Sequence, residues 1–315
     1  MSPIRKYLSN AERQKAYRQR KRLCNAIDDG ALRNNLVSRP PLRWLGGKWR
    51  LAQWIIGMFP PHLCYVEPFG GAASVLLQKQ PSRLEVYNDL DQEVVNFFVV
   101  LRTNLKELVQ LIELTPFARD ELLGAMESTK EPLERARRFY VRCWQAFQPG
   151  SGYDSTPSWR LQKDWARGKS VIDEWNTTSH LLAVATRLKH VEIENRPALE
   201  VLQRFDSART LFYVDPPYVM DTRQMGTQTR YKYEMTDKDH LQLSQMLRSL
   251  SGMVILSGYE SELYNEFYGD WHKVSKTTTT NGNGTSTEYL WLSPRTVEFN
   301  HLPLFMTLEA LPQDA

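Results

Sequence analysis

The feature that most constrains this chain is the run Thr210-Leu211-Phe212-Tyr213-Val214, which ends at Asp215-Pro216-Pro217-Tyr218. The run predicts a strand, and the segment just past a strand is where open α/β sheets bind their ligands. Pro217 pushes Pro216 out of the helical region. Neither proline carries an N–H, so the turn presents carbonyl oxygens rather than donors. Together with the Asp215 carboxylate and the Tyr218 ring, this is a cluster of acceptors beside a flat aromatic surface. Its complement is a planar amine such as the amino group of adenine, with two N–H donors and a ring to stack. Accepting both hydrogens at Asp215 and the Pro216 carbonyl would make that nitrogen more nucleophilic. Asp215, Pro216, Pro217 and Tyr218 are therefore the candidate catalytic residues. The competing interpretation is a proline-rich strand exit with a capping aspartate.

The rest of the chain supplies a sheet for that strand. Leu51–Phe59 has helical spacing and is stopped by Pro60-Pro61. Cys64-Tyr65-Val66 predicts a strand, followed by the glycine turn Glu67-Pro68-Phe69-Gly70-Gly71 and a helix over Ala72–Lys79. Leu84–Tyr87 predicts a second strand ending at Asn88-Asp89, and Gln92–Leu101 a second helix. This alternation indicates a parallel sheet with helices on its faces. Between Thr103 and Lys189 the rhythm gives way to helical stretches. It returns with Val191-Glu192-Ile193, the 210–214 strand, a helix over Asp237–Leu250 and the strand Met253–Leu256. Trp271–Lys276 and Glu288–Leu292 flank Asn281-Gly282-Asn283-Gly284, a hairpin signal that makes the last strand antiparallel. The expected organisation is a basic arm and linker (1–39), half of an α/β domain (40–102), an inserted lobe (103–189) and the second half (190–315).

Two further segments have the character of a ligand site. In Val66-Glu67-Pro68-Phe69-Gly70-Gly71 the glycines allow close approach to the backbone. The pattern is not G-x-G-x-x-G, and an acid before the turn would repel a pyrophosphate. It suits a cation, and the ammonium and sulfonium groups of S-adenosylmethionine fit. Asp89, past the next strand, occupies the usual place of a ribose-hydroxyl acceptor, or it caps a helix within Asn88-Asp89-Leu90-Asp91. Arg43-Trp44-Leu45-Gly46-Gly47-Lys48 could wrap an aromatic ligand and hold a carboxylate, but it is too short for a phosphate-binding P-loop.

Charge divides unevenly along the chain. Residues 1–22 hold eight bases and one acid, while the remainder carries 32 bases against 35 acids, so the net +4 belongs to the arm. Such an arm is either a phosphate binder or a solvated extension. Between Arg135 and Lys169 eight bases face two acids, interleaved with Phe139, Tyr140, Trp144, Phe147, Tyr153, Trp159 and Trp165. That composition is expected of a DNA-reading surface, with Arg137, Arg138, Arg142, Arg160, Lys163 and Arg167 as candidate phosphate contacts. Alternatively, Phe139, Trp144 and Phe147 form the core of the lobe. No apolar run approaches the roughly 20 residues needed to cross a bilayer, and the charged N-terminus lacks a following apolar region, so a cytoplasmic location is expected. Cys24, Cys64 and Cys143 form no pair motif, and the histidines have no metal-ligand spacing.

In order and spacing, Trp44-x-Gly46-Gly47-Lys48, Glu67–Gly71, Asp89 and Asp215–Tyr218 resemble the Dam-like DNA adenine N6-methyltransferases. The likeness extends over about Pro40–Pro294. It implies a Rossmann-like methyltransferase sheet, mostly parallel with an antiparallel C-terminal strand, plus an inserted, mainly helical target-recognition lobe. It also implies transfer of a methyl group from S-adenosylmethionine to N6 of an adenine flipped out of duplex DNA; the reaction needs no metal, and the sequence leaves the oligomeric state open, with a monomer on DNA as the expectation. The cofactor contacts implied are Trp44, Gly46, Gly47, Lys48, Glu67, Pro68, Phe69, Gly70, Gly71, Asp89 and Asp215. Asp215 and Tyr218 would also meet the base, and Tyr231, His240 and Ser257 look like later elements of the family. Ala73 stands where many members keep a glycine, and Gly258 where an asparagine is usual. Cytosine N4, an RNA adenine, a glutamine amide, or DNA binding without catalysis remain open at this level.

Overall fold

The computed structural model describes residues 37–147, 158–161, 170–222, 231–279 and 285–301. The basic arm, Lys163, Arg167 and the 281–284 turn lie outside these residues. Seven strands form one sheet in the order β3-β2-β1-β4-β5-β7-β6. They are β1 (Cys64–Glu67), β2 (Leu84–Asn88), β3 (Val191–Glu194), β4 (Thr210–Val214), β5 (Met253–Gly258), β6 (His272–Thr279) and β7 (Thr285–Leu292). The neighbouring pairs from β3 through β5 are parallel, whereas β7 runs antiparallel to both β5 and β6. This is the expected sheet, including its antiparallel last strand. Every residue of β4 and β5 is buried, as befits central strands covered on both faces. The strand order reverses between β1 and β4, and open sheets bind ligands at such a switch point.

The segment between β2 and β3 is helical: α2 (Gln92–Thr103), α3 (Leu105–Leu114), α4 (Arg119–Gly124), α5 (Pro132–Gln145), α6 (Val171–Trp175) and α7 (His180–Arg187). It follows the short α1 (Ala52–Ile56) and precedes α8 (Ala198–Arg204), α9 (Asp237–Ser249), α10 (Glu262–Tyr268) and α11 (Pro294–His301). Phe139 and Trp144 of α5 are buried in the same apolar cluster as Phe97 and Phe98 of α2 and Tyr65 and Tyr87 of the sheet. Of the three aromatics weighed as lobe core, Phe147 is the exception, 60% exposed beyond the end of α5.

One element departs from expectation. Residues 72–79 form a buried series of turns rather than an α-helix. Two competing interactions explain this. Ala73 sits at φ +55°, a left-handed conformation that costs an L-residue roughly 1–2 kcal/mol. The Leu76 amide donates to the Glu67 carboxylate at 2.7 Å and so is withdrawn from a helical ladder. The resemblance expects glycine at position 73, the residue that adopts this conformation most easily.

These turns are clamped to the sheet by a buried ionic cluster. Lys79 Nζ lies 2.6 Å from Glu85 Oε1 on β2, and Arg187 of α7 donates to both Glu85 oxygens and to the Leu76 carbonyl. Glu85 is fully buried. Removing one partner of such a cluster strands the others without compensation. Glu85→Ala is therefore expected to lower unfolding free energy by about 3–5 kcal/mol in urea titration, far more than a surface substitution.

Candidate active site

The C-terminal ends of β1, β2 and β4 open into a cavity of about 510 Å³. All eleven residues expected to contact a cofactor line it: Trp44, Gly46, Gly47, Lys48, Glu67, Pro68, Phe69, Gly70, Gly71, Asp89 and Asp215. Pro217 also lines it, as do Leu199, Tyr231 and Gln242 from later in the chain. Four segments, 44–48, 67–71, Asp89 and the turn at 215–217, are thus brought together by the sheet.

The glycines serve close packing. Gly70 and Gly71 form the turn after β1. A Cβ on Gly70 would fall 2.2 Å from the Tyr87 ring, and one on Gly71, at φ +47°, 2.6 Å from Trp44 Nε1. The Gly71 amide donates to Asp89 Oδ2 at 2.8 Å, and its carbonyl accepts from the Tyr87 hydroxyl at 2.7 Å. Asp89 also accepts from the Asp91 amide at 2.8 Å. Burial pushes its carboxyl up to about 6 in spite of these donors. Asp91, two residues further on, caps α2 by accepting from the Glu93 amide. The helix cap in this acidic stretch is therefore Asp91, while Asp89 faces the cavity.

Glu67 is 2% exposed, and its Oε1 accepts from the Tyr65 hydroxyl and the Leu76 amide, each at 2.7 Å. Burial dominates those hydrogen bonds and raises the carboxyl to about 8. Near neutrality it is largely protonated, so its resting role is to organise the turn.

At the end of β4, Asp215 meets Lys48. The ammonium lies 3.0 Å from Asp215 Oδ1, donates to the Gly46 carbonyl at 2.8 Å, and is 4.8 Å from the centre of the Tyr218 ring. Burial favours the neutral lysine, yet Asp215 and Glu288 outweigh it and move its pKa upward. Asp215 is itself raised, first by burial and further by Glu288, with Lys48 opposing. Tyr218 donates to Glu288 and packs edge-to-face on Tyr259 at 4.7 Å. Ser257 of β5 donates to the same Glu288 oxygen at 2.9 Å. Glu288 was missed by sequence reasoning beyond its place in a strand. Its signal was a lone acid in phase with Leu290 and Leu292, at the point where the polar start of the strand, Thr285-Ser286-Thr287, gives way to its apolar end. Position 258 stays glycine because a Cβ there would stand 2.8 Å from the Tyr264 ring.

The candidate phosphate contacts are placed differently from the cavity residues. Arg137 pairs with Glu134 and Glu121, Arg138 with Glu134, Arg142 with Glu93, and Arg160 with Glu174. All four of these acids, Glu93, Glu121, Glu134 and Glu174, lie outside the 135–169 window. The positive balance of 135–169 is therefore offset within the fold at every described arginine in that set. Among the described residues, no three His, Cys, Asp or Glu side chains cluster as a metal centre.

Comparison with known proteins agrees with this arrangement. A family model for D12 class N6 adenine-specific DNA methyltransferases matches residues 44–280. The chain is 23% identical over 267 residues to the type II methyltransferase M.MjaIII of Methanocaldococcus jannaschii, covering 73% of this chain and 88% of that protein. It is 23% identical over 246 residues to a DNA adenine methylase of Salmonella typhi, covering 73% and 84%. A DNA adenine methylase of Haemophilus influenzae is 33% identical over 91 residues, 29% of this chain and 32% of the relative.

The raised Glu67 carboxyl generates a stability prediction. Its folded value of about 8 exceeds the ordinary 4.5, so the stability it contributes is fully present below pH 4.5 and is lost as pH rises through about 8. Glu67→Gln keeps an acceptor for Tyr65 and Leu76 but cannot ionise. The difference in melting temperature between Glu67→Gln and the parent should therefore shift in favour of glutamine between pH 5 and pH 8; a difference independent of pH would contradict the assignment.

Proposed function

The chain belongs to the D12 class of N6 adenine-specific DNA methyltransferases, and from that membership we propose that the 510 Å³ cavity holds S-adenosylmethionine and that Asp215–Tyr218 receives the adenine. The protein is an adenine-specific DNA methyltransferase; the methyl donor and the residue roles are the proposal. One observation carries it: every residue of the three cofactor motifs lines one cavity beside the Asp-Pro-Pro-Tyr turn.

The residues present fit such a ligand. Asp89, Asp91, Asp215, Glu234 and Asp239 line the cavity against Lys48, Arg196 and Lys232, an acidic surplus that suits a cation even with Glu67 protonated. Phe69, Pro197 and Leu199 give an apolar wall for a planar ring. Asp89 is the ribose-hydroxyl acceptor. When bound, S-adenosylmethionine supplies an electrophilic methyl on a cationic sulfur. The Asp215 carboxylate and the Pro216 carbonyl accept the two hydrogens of N6, which localises the nitrogen lone pair for attack. Tyr218 stacks on the base after it leaves the duplex, an extrusion that costs a few kcal/mol. Acceptors already aimed at the amino group need no reorganisation during transfer. Lys48 holds Asp215 in place. In this proposal duplex DNA is engaged by a monomer, with the segment around α5 facing it. Among the described residues, no helix is long and apolar enough to cross a membrane.

The test is incubation of the protein with methyl-labelled S-adenosylmethionine and unmethylated plasmid DNA, followed by nucleoside analysis. Label is expected in N6-methyladenine and is expected to fall by about a thousandfold in Asp215→Ala, as when a preorganised electrostatic partner is removed. Wild-type transfer by that variant would place the active site elsewhere. Asp89 gives a second expectation. Its carboxylate form accepts ribose hydroxyls, so cofactor affinity measured by calorimetry should fall as pH drops through about 6. Asp89→Asn should bind more weakly and lose that dependence.

A further inference from the structure

Glu288 has no place in the motifs that identify the family resemblance, yet it is the most connected acid at the transfer site. It is 6% exposed on β7, alternating with the buried Leu290 and Leu292 on the face that packs against the sheet core. An inward acid on that face is costly unless its hydrogen bonds are filled. Here one of its oxygens is occupied by functional neighbours. Tyr218 and Ser257 both donate to Oε1, and Lys48 Nζ stands 3.8 Å from the same oxygen.

These contacts do more than neutralise a lysine. Lys48 already has Asp215 at 3.0 Å and the Gly46 carbonyl at 2.8 Å, so the longer contact to Glu288 is its weaker one. The hydrogen bond from Tyr218 constrains that ring at its tip. Tyr259 packs against it edge-to-face at 73°, and Lys48 approaches its face. A ring held at its hydroxyl and by two neighbours has one orientation, the condition for a preorganised stacking surface.

We propose that Glu288 is a positioning residue for methyl transfer: by accepting the Tyr218 hydroxyl it fixes the aromatic platform on which the extruded adenine rests. The proposal rests on the assignment of Tyr218 as that platform. Glu288 touches neither base nor methyl donor and acts through Tyr218.

The experiment is steady-state methylation of unmethylated plasmid DNA with tritiated S-adenosylmethionine by the full chain and its variants. Glu288→Leu removes the acceptor and should lower kcat about tenfold, while the KM for S-adenosylmethionine stays within about twofold. Glu288→Gln retains an acceptor and should recover most of the loss. Tyr218→Phe, which keeps the ring and deletes only the hydroxyl, should match Glu288→Leu, and the double variant should be no worse than either single one. Wild-type kcat in Glu288→Leu, additive losses in the double variant, or no recovery by glutamine would each overturn the proposal. If Glu288→Leu is unfolded by circular dichroism, Tyr218→Phe decides alone, and wild-type kcat in it overturns the proposal. Tyr218→Ala separates the two levels. Wild-type activity there rejects the platform and Glu288 with it, whereas loss there with full activity in Glu288→Leu rejects Glu288 alone.

Discussion

The site depends on a buried lysine held between two carboxylates. Lys48 comes from the segment before β1, Asp215 from the end of β4 and Glu288 from β7, so one ammonium joins three parts of the sheet across its switch point. Desolvating such ions is expensive, and the arrangement persists only because each group finds opposite charge or a hydrogen-bond donor. Lys48 cannot leave without setting two buried acids against each other. Asp215 cannot leave without stranding an ammonium. The same constraint fixes the wall of the cavity and the orientation of the Asp-Pro-Pro-Tyr turn, which makes rigidity here a consequence of electrostatics as much as of packing.

That array also changes the meaning of the acidic surplus in the cavity. Read as sequence, Glu67 looked like the counter-charge for a cation. In the fold it is buried, hydrogen-bonded by Tyr65 and Leu76, and raised to about 8. A permanent negative charge at that spot would be paid for by the fold whether or not a ligand were present. A protonated Glu67 avoids this, and arrival of a cation would favour its ionisation, since ligand binding and proton release are linked whenever the ligand prefers one protonation state. Asp89, raised only to about 6, is mostly ionised at neutral pH and needs no such exchange.

What the sequence disclosed followed from local rules. Strand runs, strand exits and the glycine turn have signatures within a few residues, and the sheet then assembled the motifs from four segments into one cavity. What it hid depended on partners remote in sequence. The helix expected over 72–79 was displaced by one carboxylate from β1 and one left-handed alanine. The acids that hold the arginines of α5 include Glu93 on α2 and Glu121 on α4, invisible to a count along a single window. Glu288 is 73 residues beyond Asp215 and gains its meaning only because β7 turns back beside β5.

Those arginine pairs show how the inserted segment is held relative to the cavity. Arg135 and Arg142 both grip Glu93, in the first turn of α2, at 2.6 Å. The N-terminus of α2 is capped by Asp91, which lines the cavity beside Asp89. One helix therefore carries the cavity rim at its start and the anchor of α5 in its first turn, while its buried Phe97 stacks on Tyr140. The α5 helix is thus mounted, through ion pairs to Glu93, on the helix that begins at the cavity rim.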